Sequence, residues 1–303
     1  MNIECAKRIP LTDILKKLGF EPIRQENNIL FYLSPLHKDD TAFLKIFVPK
    51  NIWFDEKLSR GGDVLAFVCN YLESQGENFT LADALRYLSI MMGYAPKIEP
   101  VGAEDPQVRR SLYIDGIEPI QHSRLIAYLD RRGIPLKVAE RYLKEVRVCD
   151  RDTKKSFLAL GLRNEDGGYE VWNAFTNEYV GKRNITFIRG TVPKPNGIHI
   201  FKNGFDFMSA VMRQEGGKPF KEDTLIAPPA ILTMATPYLY KYGYEAAFTW
   251  MDNSVIGRAA ALSLNNYFKT EDGLTHSPMN YLYKSFQSVN DWHIQAPKAG
   301  KHA

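Results

Sequence analysis

The 303-residue chain is 45% hydrophobic and 24% charged, ordinary values for a globular protein long enough to hold two or three cores. Its formal net charge of +4 at pH 7 is compatible with a nucleic-acid partner and does not demand one. There is no apolar run of the roughly 18 residues that a membrane span needs, residues 1–8 lack the apolar centre of a signal peptide, and Cys5, Cys69 and Cys149 form neither a disulfide framework nor a zinc set. Together these predict a cytoplasmic protein with no membrane partner.

Apolar residues at helical spacing predict a helix over 9–20, with Leu11, Ile14, Leu15 and Leu18 on its buried stripe and Gly19 as its stop. Strands are predicted at 29–33, 41–48 and 52–55, with Phe31, Leu33, Phe43, Ile46, Val48 and Trp53 as their apolar face. The turn at Gly61-Gly62 leads into a helix, and a second helix covers 80–92. Residues 94–107 carry Pro96, Pro100, Gly102 and Pro106 among polar neighbours, the composition of a linker. Helices follow at 123–130 and 136–146, then strands at 157–162 and 169–173.

The apolar run 198–201 stops at Lys202-Asn203-Gly204, and helical spacing resumes over 205–212. A second apolar strand from Ala246 runs into Asp252-Asn253-Ser254, followed by Gly257 and the Ala-rich helix over 258–264. Two strand–helix units of this kind bring their polar tips together at the carboxyl edge of a parallel sheet, where open α/β sheets bind ligands.

These two tips resemble the toprim domain of bacterial-type (DnaG-like) primases, topoisomerases and some nucleases. In that family one strand ends in Glu-Gly-x-x-Asp and the next in Asp-x-Asp. The resemblance implies that the Glu works as general acid/base and that the Asp pair holds Mg²⁺. Here Lys202 stands at the Glu position, with Gly204 and Asp206 after it, and Asp252 and Ser254 stand for the Asp pair. The amino-terminal segment is similar to the primase zinc ribbon. Ser34, His37, Asp55 and Leu58 occupy its four ligand positions, while Gly61-Gly62-Asp63-Val64-Leu65-Ala66-Phe67 keeps its tail. Zinc in such ribbons takes four Cys or His ligands, so no bound metal is expected. The stretches 125–135 and 167–175 and the Asn290-Asp291-Trp292 run resemble primase-like proteins of Bacteroides-type mobilisable and conjugative elements.

The resulting expectation is a multidomain α+β chain. A zinc-ribbon-like hairpin domain that has lost its metal covers 1–95, a linker 96–111, a middle α+β domain 112–190, and a toprim-like α/β domain with a central parallel sheet 191–303. The functional expectation is a catalytically inactive, primase-like DNA-binding accessory protein of a mobile element, with single-stranded or forked DNA and replication or mobilisation proteins as partners. No cofactor is expected. One alternative is a working primase or nuclease using Mg²⁺ on Asp206, Asp252 and Asp291; another is a protein-interaction module on a toprim scaffold. Lys202, Lys45, Lys50, Lys57, Arg60 and Arg258 are the candidate nucleic-acid contacts. Four of these lie among Phe43, Phe47, Trp53 and Phe54, a mixture that suits stacked bases and paired phosphates, although a strand with one core face and one solvated face produces the same pattern. Lys202 reads equally as a phosphate contact or a solvated lysine, and Asp252 as a lone metal ligand or a helix cap.

Overall fold

A computed structural model describes residues 2–37, 43–102 and 111–296. The predicted strand residues Thr41 and Ala42, the side chain of Phe43, linker residues 103–110 and the tail 297–303 lie outside the described residues. The chain is mixed α+β and divides into two compact units, Met1–Pro96 with Tyr240–Tyr242, and Lys97–Leu239 with Gly243–Ala303. No helix among the described residues is long and apolar enough to cross a membrane.

The first unit is built on a five-stranded antiparallel meander of Arg24–Glu26, Ile29–Leu33, Phe43–Phe47, Ile52–Asp55 and Arg60–Gly62. Helices Leu11–Lys17, Val64–Ser74 and Leu81–Met91 pack with Leu44, Ile46 and Trp53 of the sheet in one core. The helix starts follow from their caps. The Asp63 carboxylate accepts from the Ala66 amide, and Thr80 and Asp83 form a reciprocal capping box. The predicted apolar face is partly wrong. Leu33 is 37% exposed and Val48 46% exposed, whereas Tyr32 and Leu44 are buried. Side chains alternate across a strand, so Tyr32 turns to the core and its neighbour Leu33 away, and Val48 has already left the sheet for a 3-10 turn.

In the second unit an antiparallel sheet runs in the order Asn177–Val180, Tyr169–Trp172, Ser156–Arg163, Leu143–Asp150, Leu112–Glu118. The helix expected over 136–146 ends after one turn at Leu136–Ala139, and the chain becomes a strand from Leu143. Leu143, Val146 and Val148 are buried, and this strand pairs on both sides. Pairing within the sheet outweighs local helical spacing.

The second sheet of this unit has the order Thr186–Ile188, Asp223–Ile226, Gly197–Phe201, Ala246–Trp250, Thr275–Pro278. Its last four strands are parallel and the first is antiparallel. Gly197–Phe201 is buried along its whole length, as a parallel strand covered on both faces must be. Helices Gly204–Glu215 and Val255–Phe268 follow the two central strands. The two sheets share one core: Leu160, Leu162 and Trp172 of the antiparallel sheet join Phe201 and Trp250 of the parallel one and Phe205 of the helix Gly204–Glu215. That shared core brings the antiparallel sheet up to the strand tips.

Candidate functional site

Gly197–Phe201 and Ala246–Trp250 are adjacent and parallel, with Phe201 opposite Trp250. The next residues therefore emerge side by side, and the Lys202 ammonium forms a short ion pair with Oδ2 of Asp252. The other oxygen, Oδ1, accepts from the Ser254 hydroxyl at 2.5 Å and the Ser254 amide at 3.2 Å. Burial pushes the Asp252 carboxyl up, but the hydrogen bonds from Lys202 and Ser254 prevail and hold it below its ordinary value. The cap of the following helix is Ser254, whose hydroxyl accepts from the Gly257 amide; Asp252 acts one step back, on the capping residue. Gly257 is required by this contact, since a Cβ there would lie 2.0 Å from Asp252 Oδ1 and 2.2 Å from its carbonyl oxygen.

Asp206 sits in the first turn of Gly204–Glu215 and is 1% exposed. Its Oδ1 accepts from the Asn290 amide at 2.9 Å and its Oδ2 from the Asn203 side chain at 2.8 Å. Burial pushes it up to about 6, with these donors opposing. Asn290 also bonds Ser209 and both the carbonyl and guanidinium of Arg132, so the Asn-Asp-Trp run near the carboxyl end is a brace for Asp206. Asp291 is engaged in capping with Ser288.

Mg²⁺ requires several oxygen ligands in near-octahedral array. The carboxylates offered by the enzyme alternative, Asp206, Asp252 and Asp291, are each committed to donors of the chain itself. Among the described residues no group of three His, Cys, Asp or Glu side chains is placed to hold a metal ion. The residues present do not fit the metal that the resemblance implies.

A cavity of about 470 Å³ opens over these tips, lined by Lys202, Asp206, Arg132, Glu170, Tyr179 and Arg183 among others. The last three come from the antiparallel sheet and its margin. Burial pushes Glu170 up to about 8, against the Tyr179 hydroxyl and the charges of Arg183 and Lys202. It therefore stays largely protonated at neutral pH, and the lining sets Arg132, Arg183 and Lys202 beside the acids Asp206 and Glu178. Arg183 lies over the Tyr179 ring at 4.4 Å. Sequence reasoning missed Glu170, Tyr179 and Arg183. The available signal was a Glu inside the otherwise apolar Tyr169–Trp172, every residue of which is buried.

Ser34, His37 and Leu58 meet at the carboxylate of Asp55. Asp55 is fully buried. Its Oδ2 accepts from the Ser34 hydroxyl at 2.5 Å and lies 3.2 Å from His37 Nε2, and its Oδ1 accepts from the Leu58 amide at 2.9 Å. The four residues aligned with zinc ligands thus meet through hydrogen bonds, with one nitrogen ligand among their side chains. They do not fit zinc.

The basic residues named in the first unit differ in their surroundings. Lys45 is paired with Glu56, and Arg60 with Glu73 at 2.9 Å. Trp53 is 1% exposed, so it belongs to the core and offers no face for stacking. Lys50 and Lys57 are exposed. In the second unit Arg258 is exposed and donates to the Asn253 carbonyl.

Residues 114–186 match a family described as a domain of unknown function (DUF8464). No curated protein matches the chain. Similar solved structures include the zinc-binding and RNA polymerase domains of the Aquifex aeolicus primase, with 14% identity, 91% of this chain and 77% of that one covered, and a TM-score of 0.37. They also include the primase fragment of the bacteriophage T7 primase-helicase protein, with 12% identity, 91% and 95% covered, and a TM-score of 0.38.

Proposed function

We propose that this chain is a primase-like DNA-binding accessory protein of a bacterial mobile element, acting in the cytoplasm in replication or mobilisation, and that its toprim-like centre is catalytically silent. The observation that carries this reading is the Lys202–Asp252 ion pair. A fixed ammonium can attract a phosphate as a point charge, but it cannot replace a carboxylate as general base, a role typically worth about 10²–10⁴-fold in rate. Arg132, Arg183 and Lys202 line the cavity, and phosphate contacts from such side chains position a strand without reading its sequence.

The test is primer synthesis and strand cleavage by the purified chain with Mg²⁺ or Mn²⁺. The expected outcome is no turnover with either ion. Turnover that Asp252→Ala abolishes would replace this reading with that of a working enzyme.

A further inference from the structure

A second pocket lies in the same unit, on the other side of the residues that line the first. Arg132 and Trp172 line the cavity above Lys202, while their chain neighbours Arg131 and Asn173 line the second pocket. It encloses about 590 Å³ and presents His122, Arg124, Arg131, Arg147, Phe157 and Phe175. We propose that this pocket binds single-stranded nucleic acid, with a base stacked on Phe175 and the flanking phosphates held by Arg131 and Arg147.

Three observations support the assignment. Phe175 is 96% exposed, yet it is held firmly. Asn173 fixes the turn by accepting from the Phe175 amide at 2.9 Å, donating to the Leu158 carbonyl at 3.0 Å, and bonding backbone to backbone with Thr176. An aromatic face presented on a pinned turn loses little entropy when a base stacks on it. The second observation is charge. Arg124, Arg131 and Arg147 are all exposed, no carboxylate lines the pocket, and none of the three has an ion-pair partner among the described residues. Glu145, two residues before Arg147 on the same strand, accepts from the amides of Gln121 and His122. The third is rigidity of the cations' bases. Arg147 projects from a strand paired on both sides, opposite Leu158, and Arg131 from the last turn of the helix Ser123–Arg131. Guanidiniums without acids beside an exposed ring are the elements of sequence-tolerant single-strand binding.

The inference stands apart from the reading of the Lys202 cavity, and one experiment separates the two. Binding of fluorescently labelled oligothymidylate to the full chain is measured by anisotropy across a salt series. Phe175→Ala weakens binding by about 5- to 150-fold at fixed salt, the range expected for one lost base stack, and leaves the salt slope unchanged. Arg131→Ala with Arg147→Ala reduces the slope of log K against log salt by about 1.4, or roughly 0.7 for each phosphate contact on a single strand. An oligonucleotide carrying 5-iodouracil cross-links to the peptide containing Phe175. Parent-like binding by both pocket variants, with loss only in Lys202→Glu, overturns this inference and leaves the first reading in place. Binding of an acidic aromatic peptide, and not the oligonucleotide, at Phe175 also overturns it. Absence of oligonucleotide affinity in the parent overturns both.

Discussion

The Lys202 ammonium rests on the Asp252 carboxylate across two adjacent parallel strands, 50 positions apart in the chain. Asp252 is 8% and Lys202 33% exposed in their side chains, so the acid is the buried partner. Removing its cation leaves a buried charge answered only by Ser254. Lys202→Met is expected to cost about 1–3 kcal/mol at neutral pH, below the figure for a wholly buried pair because Lys202 is partly solvated. Asp252 is held below its ordinary value, so its contribution is present above the usual carboxylate range and disappears as pH falls. Denaturant unfolding at about pH 7 and at about pH 2.5, below the ordinary carboxylate value, will therefore show a deficit that shrinks at the lower pH, and Asp252→Asn in the same background restores part of it. An equal loss at both pH values would contradict the ion-pair account.

Gly257 supports the same residue from below. Alanine is the better helix former by about 1 kcal/mol, yet here its Cβ would lie 2.2 Å from a backbone oxygen of Asp252, and backbone cannot rotate away. Gly257→Ala is predicted to lower the melting temperature, with a net loss of about 1–3 kcal/mol as for other overpacked sites. A stabilised variant would show that the helix start is free to shift.

In the first unit, the parent protein should keep its melting temperature in the presence of chelator, because hydrogen bonds to Asp55 join Ser34, His37 and Leu58. The same convergence makes the site restorable. Ser34→Cys, Asp55→Cys and Leu58→Cys together with the resident His37 offer a Cys₃His set. The triple variant is expected to bind zinc in a tetrahedral site, read by the visible bands of its cobalt form, and to become chelator-sensitive. Failure to bind would mean that the four positions do not converge as tightly as their bonds to Asp55 indicate. Asp55→Ala alone should destabilise the unit by about 2–4 kcal/mol, the scale of leaving several buried polar groups unpaired.

Glu170 gives a prediction with the opposite pH sign to Asp252. Its carboxyl is raised from 4.5 to about 8 in the folded chain, so the unfolded chain releases the proton first. Stability is then highest below the ordinary value, declines as pH rises towards about 8, and changes no further above it. Glu170→Gln removes this penalty, on the order of 5 kcal/mol. The variant should match the parent near pH 5 and exceed it near pH 9 in thermal unfolding. A constant difference across that range would show that Glu170 ionises normally.

The local pattern of the chain made some of this legible. The strand ending in Lys202 and the strand leading to Asp252 are apolar runs with abrupt polar ends, and their tips do meet. Ile29–Leu33 and Ile52–Asp55 likewise fall where alternation and turn residues put them. The strand Leu143–Asp150 was not legible, because its apolar residues also fit helical spacing and one of the two strands that hold it extended, Leu112–Glu118, is distant in sequence. Nor was the cavity. Glu170 belongs to another sheet, and the core shared by the two sheets, in which the rings of Trp172 and Phe205 meet edge to face at 5.3 Å, brings it near the tips. Asn290 was recognisable as part of a kept run, but its grip on Asp206 depends on packing between the helices Val289–Gln295 and Gly204–Glu215.

The central claim is that a fixed cation has taken over at the strand tips, so that DNA approaches without metal. Single-stranded or forked DNA binding in buffer containing chelator and no divalent ion, titrated with salt, tests it most directly. The parent is predicted to bind in that buffer and to weaken as salt rises, as counterion release requires. Lys202→Glu should bind more weakly there and recover partly on addition of Mg²⁺, because the cation again has to come from solution. Binding by the parent only in the presence of Mg²⁺, or binding by Lys202→Glu indistinguishable from the parent without metal, would contradict the account.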